Sequence, residues 1–244
     1  SALPVGHALR EAQISIAQGD QLDPSAETEI TQPLTVTHTP ARDFTIFTDG
    51  PENYLAAVNQ SDRSPYKWEL NVDIADTAPT TNLIYTLIHE HGHLLTLNRD
   101  QVEVSLPVYR NPHSESIYNR EAEACPQYFT GEGCSKPDSY ISEFFNRFWV
   151  DLYAEWQAID TEEDEDEYND LLDDFYDTYQ DQFITDYAPT TPAEDIAESW
   201  TFFILSPKPE SNSIANEKLL FFYEYPEMVT LRDRILSNLC SYVE

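Results

Sequence analysis

Glycine is scarce in this chain, six residues in 244 against sixteen prolines. That ratio argues against a glycine-rich β-architecture and against a low-complexity polymer. Cations are also few: 13 Lys and Arg face 45 Asp and Glu, for a formal net charge of −32. A basic footprint for nucleic acid is absent, and anionic membranes would repel the chain. A solvated, self-repelling surface is the plain reading of that charge, and attraction to basic substrates is the alternative. No apolar run approaches the roughly 18 residues that a membrane-spanning helix needs. We therefore expect no nucleic-acid partner and no membrane span.

Cysteine is limited to Cys125, Cys134 and Cys240, with no CxxC spacing that would suggest zinc or redox chemistry. Cys125 and Cys134 bracket "CPQYFTGEGC", a short loop able to bring its ends together. A disulfide is expected there, with two reduced thiols as the alternative, and Cys240 is left unpaired. A disulfide would make the protein extracytoplasmic: secreted, periplasmic or surface-anchored. The chain opens on Ser1, which fits removal of an upstream segment.

What the chain does have is aromatic mass, with 15 Tyr, 12 Phe and 4 Trp. Its length allows a real core, and we expect a single domain over 1–244 with approximate lobes of 1–100 and 101–244. A helical stretch is expected over 6–20, short strands over 33–38 and 43–50, and a short helix over 51–60. Residues 66–76, "YKWELNVDIAD", alternate and read as a third strand, with Trp68, Leu70, Val72 and Ile74 on one face. From about residue 114 onward the pattern is helical. Ile141, Phe144, Phe145, Phe148, Leu152 and Trp156 form a wide stripe suited to core packing. The acidic run "EEDEDE" reads as a solvated linker into an amphipathic helix carrying Leu171, Leu172, Phe175 and Tyr179. It lacks the EF-hand glycine and terminal Glu, so calcium is the lesser reading. The expected fold class is α+β, predominantly helical.

The chemistry concentrates in "LIYTLIHEHGHLLTL". Thr77, Thr80 and Thr81 are cap candidates for this helix. Positions four apart share a helix face, so His89 and His93 can aim two imidazoles at one ion. Glu90 stands beside the first, placed for a water at the metal, which is the HExxH arrangement of metallopeptidases. Leu83, Ile84, Leu87, Ile88, Leu94, Leu95 and Leu97 surround the motif, so unpartnered polar groups there would cost several kcal/mol. Gly92 gives up about 1 kcal/mol of helix propensity, which suggests that another backbone approaches it. His91 points away from the His89/His93 face and is expected to be a satisfied histidine outside the site.

A catalytic zinc site needs a third protein ligand. No His follows His93 closely, and His113 sits alone in a Pro-flanked loop. The segment 186–205, "DYAPTTPAEDIAESWTFFIL", is the better source. Thr191 and Pro192 read as a helix start, with Glu194 and Glu198 one turn apart on one face. The alternative is a capping box between Thr191 and Glu194, with Glu198 facing solvent.

An HExGH helix followed about 100 positions later by Tyr-x6-Glu-x3-Glu, with Ala197 before the second Glu, resembles the gluzincin peptidases of the anthrax lethal factor type. The resemblance covers the two helices and the loop before the second. It implies a zincin-like fold, in which a small N-terminal sheet packs on the HExxH helix and a helical lobe follows. It also implies Zn²⁺ held by His89, His93 and Glu194, with Glu90 as general base. Glu198 would buttress a histidine ligand, and Tyr187 would face the oxyanion. The family usually carries an aromatic pair and Ala-Phe where this chain has Asp195-Ile196 and Ser199-Trp200. The implied activity is hydrolysis of peptide or protein substrates. A zinc-binding scaffold of the same fold without turnover is the alternative. The strand over 66–76 is the expected cleft edge, where an extended peptide could add.

Overall fold

The computed structural model describes residues 41–47, 55–73 and 80–243. The expected helix over 6–20 and strand over 33–38 lie outside the described residues, as does Ile74. Three strands form the first sheet: β1 (Ala41–Phe47), β2 (Ala56–Ser61) and β3 (Ser64–Asp73), in the order β1-β3-β2. β3 runs parallel to β1 and antiparallel to β2.

Two expectations are corrected here. Residues 56–60 are strand, not helix, and 51–54 lie outside the described residues. Their alanines favour a helix locally, but Val58 pairs with Leu70 across a tight turn at Asp62 and Arg63. Cross-strand pairing and burial of Ala56 outweigh a propensity worth a few tenths of a kcal/mol per residue. The expected cleft edge, β3, is instead the central strand. β2 lies beside it as an outer strand.

Alternation in β3 works as expected: Trp68, Leu70 and Val72 are buried. Leu70 and Val72 meet Leu83 and Leu87 of helix α1 (Thr80–Thr96), so the sheet packs on the HExxH helix. Burying each such side chain contributes about 1.5–3 kcal/mol.

The stretch after residue 114 is not wholly helical. A small ladder joins β4 (Val102–Val104) to β5 (Gly133–Ser135). Cys125 and Cys134 are disulfide-bonded, and Cys240 is free. Gly133 is obligatory in this ladder, since a Cβ there would lie 2.1 Å from the Glu103 carbonyl oxygen.

Around this ladder lie the short helices α2 (Leu106–Arg110) and α3 (Glu115–Ala124), followed by α4 (Tyr140–Phe148) and α5 (Tyr153–Asp160). The aromatic stripe is buried as expected, although the chain breaks at Trp149 into two helices. α6 (Glu165–Thr178) begins inside the acidic run, which is therefore only partly a linker. The Asp164 carboxylate accepts from the Glu167 N–H. Glu165, Asp166 and Glu167 occupy the first turn, where the helix dipole favours negative charge.

α7 (Pro192–Leu205) is the central helix of the second half. α8 (Ile214–Tyr223) and α9 (Pro226–Val243) pack against it through Phe203, Phe222 and their neighbours. The described chain is α+β and predominantly helical.

Candidate metal centre

α1 and α7 meet at Gly92. A Cβ there would stand 3.1 Å from the Ala197 Cα and 3.1 Å from the Trp200 ring. The approach anticipated from the glycine is thus a helix-on-helix contact. It brings the faces bearing His89 and His93 against the one bearing Glu194 and Glu198.

The α7 start explains the placement of Glu194. The Thr191 hydroxyl accepts from the Glu194 N–H at 3.0 Å, and Pro192 fills the first helical turn. Only the Thr half of a capping box forms, because the Glu194 carboxylate turns towards the histidines. Its Oε2 lies 2.9 Å from His89 Nε2 and 3.2 Å from His93 Nε2, and the two imidazole nitrogens are 3.1 Å apart. His89, His93 and Glu194 form a group able to hold a metal ion. Edges of that length match the ligand–ligand separation of about 3.3 Å implied by tetrahedral bonds near 2.0 Å. The donor set also fits a divalent ion: two imidazoles and one carboxylate, short of the closed four-ligand set of a structural site.

Glu198 is buried, not solvent-facing. Its Oε1 accepts from His89 Nδ1 at 2.8 Å, while Oε2 accepts from the Tyr85 hydroxyl at 2.6 Å and from Thr185 at 2.7 Å. Burial disfavours charge on His89, but the Glu194 and Glu198 carboxylates outweigh it and raise its pKa to about 9. Burial likewise works against ionised Glu194 and Glu198, and their hydrogen bonds hold both below the usual carboxylate range.

Glu90 is buried, and that burial pushes its carboxyl up despite the nearby imidazoles and the Val58 N–H. The Val58 contact places β2, the outer strand, against the site. Tyr187 is half exposed, its ring 6.0 Å from His89. Burial of the phenol and the facing Glu194 carboxylate hold its proton well above the usual range.

His91 is buried outside the triad and stacks on Trp200 at 5.7 Å. One of its ring nitrogens, Nδ1, has no hydrogen-bond partner, so it is less satisfied than expected. Burial lowers its pKa to about 4 and keeps it neutral.

Three supports of the site carry little or no local sequence signal. Tyr85 lies one turn before His89, and that spacing could have revealed it. Thr185 carried no signal. The third is a fully buried ion pair: Lys218 Nζ to Asp195 Oδ2 at 2.6 Å, with Trp149 Nε1 donating to the same oxygen at 2.7 Å. It anchors the residue next to Glu194, at a position where the chain departs from the resembled family.

The chain was compared with models of protein families, with curated proteins and with solved structures, and none of them matches it.

Proposed function

We propose that the protein is a zinc-dependent metallopeptidase with a zincin-like fold, of the gluzincin kind. The observation that carries this reading is the near-equilateral His89–His93–Glu194 triangle with a second carboxylate, Glu198, holding His89. His89, His93 and Glu194 would hold the ion, and Glu198 would fix the tautomer that leaves the His89 Nε2 lone pair free. A bound Zn²⁺ would lower the pKa of a water molecule towards roughly 7 and polarise a carbonyl.

The remaining work belongs to the chain. Glu90, with its carboxyl pushed up by burial, is suited to take a proton from the attacking water and return it to the leaving amine. Tyr187 keeps its phenolic proton and is exposed enough to donate to the developing oxyanion, an interaction typically worth a few kcal/mol. β2, beside Glu90, is the strand along which an extended peptide would add. The Cys125–Cys134 disulfide supports an extracytoplasmic location.

Metal analysis together with peptide cleavage tests this reading. The expected result is one Zn²⁺ per chain, lost on replacing Glu194 by Ala, and cleavage of an unstructured protein that a chelator abolishes. Zinc binding without any cleavage would favour the scaffold alternative.

A further inference from the structure

The loop that carries Tyr187 is tied to the candidate metal centre through one hydroxyl. Thr185 Oγ1 donates to Glu198 Oε2 at 2.7 Å and accepts from the Ala188 N–H at 3.2 Å. The other oxygen of the same carboxylate, Oε1, accepts from His89 Nδ1 at 2.8 Å. A continuous chain of hydrogen bonds therefore runs from the backbone just after Tyr187, through Thr185 and Glu198, to a ligand imidazole. Thr185 precedes Tyr187 by two positions and Ala188 follows it, so the bond to Ala188 closes the backbone around Tyr187.

The downstream end of the loop has its own anchor. The Tyr187 carbonyl accepts from the Thr190 N–H at 3.1 Å and from the Thr190 hydroxyl at 2.6 Å. Trp156, buried in the aromatic core, donates Nε1 to the Pro189 and Thr190 carbonyls at 3.0 and 3.2 Å. Ala188 is buried, whereas Tyr187 is half exposed. Tyr187 thus projects from a turn that the core holds on one side and Thr185 holds on the other. Tyr85 also donates to Glu198 Oε2, at 2.6 Å, but it does so from α1 and not from the loop. The two hydroxyls on that oxygen are therefore separable: both support the carboxylate, and Thr185 in addition ties it to the backbone at Tyr187.

Resting on the peptidase reading above, we propose that Thr185 is a positioning residue that couples the Tyr187 loop to the metal ligand His89. Its hydroxyl gives its one proton to Glu198 and takes the Ala188 N–H on a lone pair, so a single side chain serves both ends. Holding the His89 ring from its Nε2 side also holds Glu198, and through Thr185 the backbone on which Tyr187 stands. By linkage, the ordered loop in turn favours metal binding. Tyr187 is then in place before charge develops on the substrate oxygen, as a preorganised donor requires.

The test compares three variants of the full chain. Thr185→Val keeps the side-chain shape without the hydroxyl, Thr185→Ser keeps the hydroxyl, and Tyr85→Phe removes the other bond to Glu198 Oε2. Amide hydrogen exchange with and without Zn²⁺ reads the loop directly. In the unaltered protein Zn²⁺ should slow exchange at Ala188 about threefold more than at the amides of α6. Thr185→Val should speed Ala188 exchange about tenfold and abolish that zinc response, while Thr185→Ser and Tyr85→Phe should retain it. At saturating Zn²⁺, Thr185→Val should lower kcat on an unstructured protein about tenfold with little change in KM, and Tyr85→Phe should lower it several-fold less. Adding Thr185→Val to Tyr187→Phe should cost almost nothing further, because both act through one phenol. Ala188 exchange that follows α6 in the unaltered, zinc-bound chain would overturn the coupling, whether or not any variant folds. So would losses from Thr185→Val and Tyr187→Phe that multiply. A zinc response at Ala188 without cleavage of any protein would overturn the peptidase reading and leave the coupling in place. Absence of zinc binding would overturn both.

Discussion

His89 Nδ1 and Glu198 Oε1 lie 2.8 Å apart across residues separated by 109 positions. In this pairing the Nδ1–H donates to Glu198, which directs the other ring nitrogen towards Glu194 and His93. Tyr85 and Thr185 hold the second oxygen of Glu198, so the carboxylate cannot rotate without breaking two further hydrogen bonds. This network fixes the orientation of one imidazole before any ion arrives.

Glu198→Gln should weaken Zn²⁺ binding about 10- to 100-fold, the usual effect of losing a carboxylate behind a ligand histidine. Tyr85→Phe should have a smaller effect in the same direction. Competition against a chromophoric chelator measures both, and native affinity in the Glu198 variant would contradict the buttressing role.

Glu90→Gln should retain Zn²⁺ and lower kcat at least about 10²-fold, the lower end expected for loss of a positioned base. Glu90 itself has no place in the donor triangle, so metal content should not change. Full turnover in this variant would remove Glu90 from the mechanism.

Gly92→Ala should destabilise the fold even though alanine gains about 1 kcal/mol of helix propensity. The added methyl meets the Ala197 backbone at 3.1 Å, and backbone cannot step aside as a flexible side chain could. Overpacking of this kind costs about 1–3 kcal/mol, and separating α1 from α7 should also weaken metal binding. Urea unfolding and a zinc titration check the two effects together.

Lys218→Met should cost about 3–5 kcal/mol, because it leaves the buried Asp195 carboxylate uncompensated. Replacing Asp195 by Leu in the same chain should recover part of that loss, since both charges are then gone. The Trp149 indole N–H would still lack its acceptor, which limits the recovery. Denaturant midpoints of the single and double variants give the comparison.

Glu132→Gln should raise Tm at pH 7. Burial sets the folded pKa of Glu132 above its ordinary value of 4.5, so the folded state binds this proton more tightly than the unfolded state does. Glu132 therefore costs nothing below its ordinary pKa and costs stability as pH rises through its folded value. The gain in the glutamine variant should shrink towards zero below pH 4.5, as followed by thermal melts across pH.

Each helix of the candidate site was legible by itself. The 3.6-residue period placed His89 and His93 on one face, and Thr191 with Pro192 marked the start of the helix bearing Glu194 and Glu198. Alternation identified β3, and the short Cys125–Cys134 loop indicated its disulfide. These features depend on neighbours a few positions away, so local pattern is enough. The strand at 56–61 was misread because its alanines suit a helix and only pairing with β3 decides otherwise. The central position of β3, and hence which strand borders Glu90, is a property of sheet order that no single strand encodes. Tyr85 and Thr185 around Glu198 and the Asp195–Lys218 pair were likewise set by tertiary structure. A helix period determines what a residue faces on its own element. What waits on the other side depends on how helices far apart in sequence pack, and here that packing turns on the absence of a side chain at Gly92.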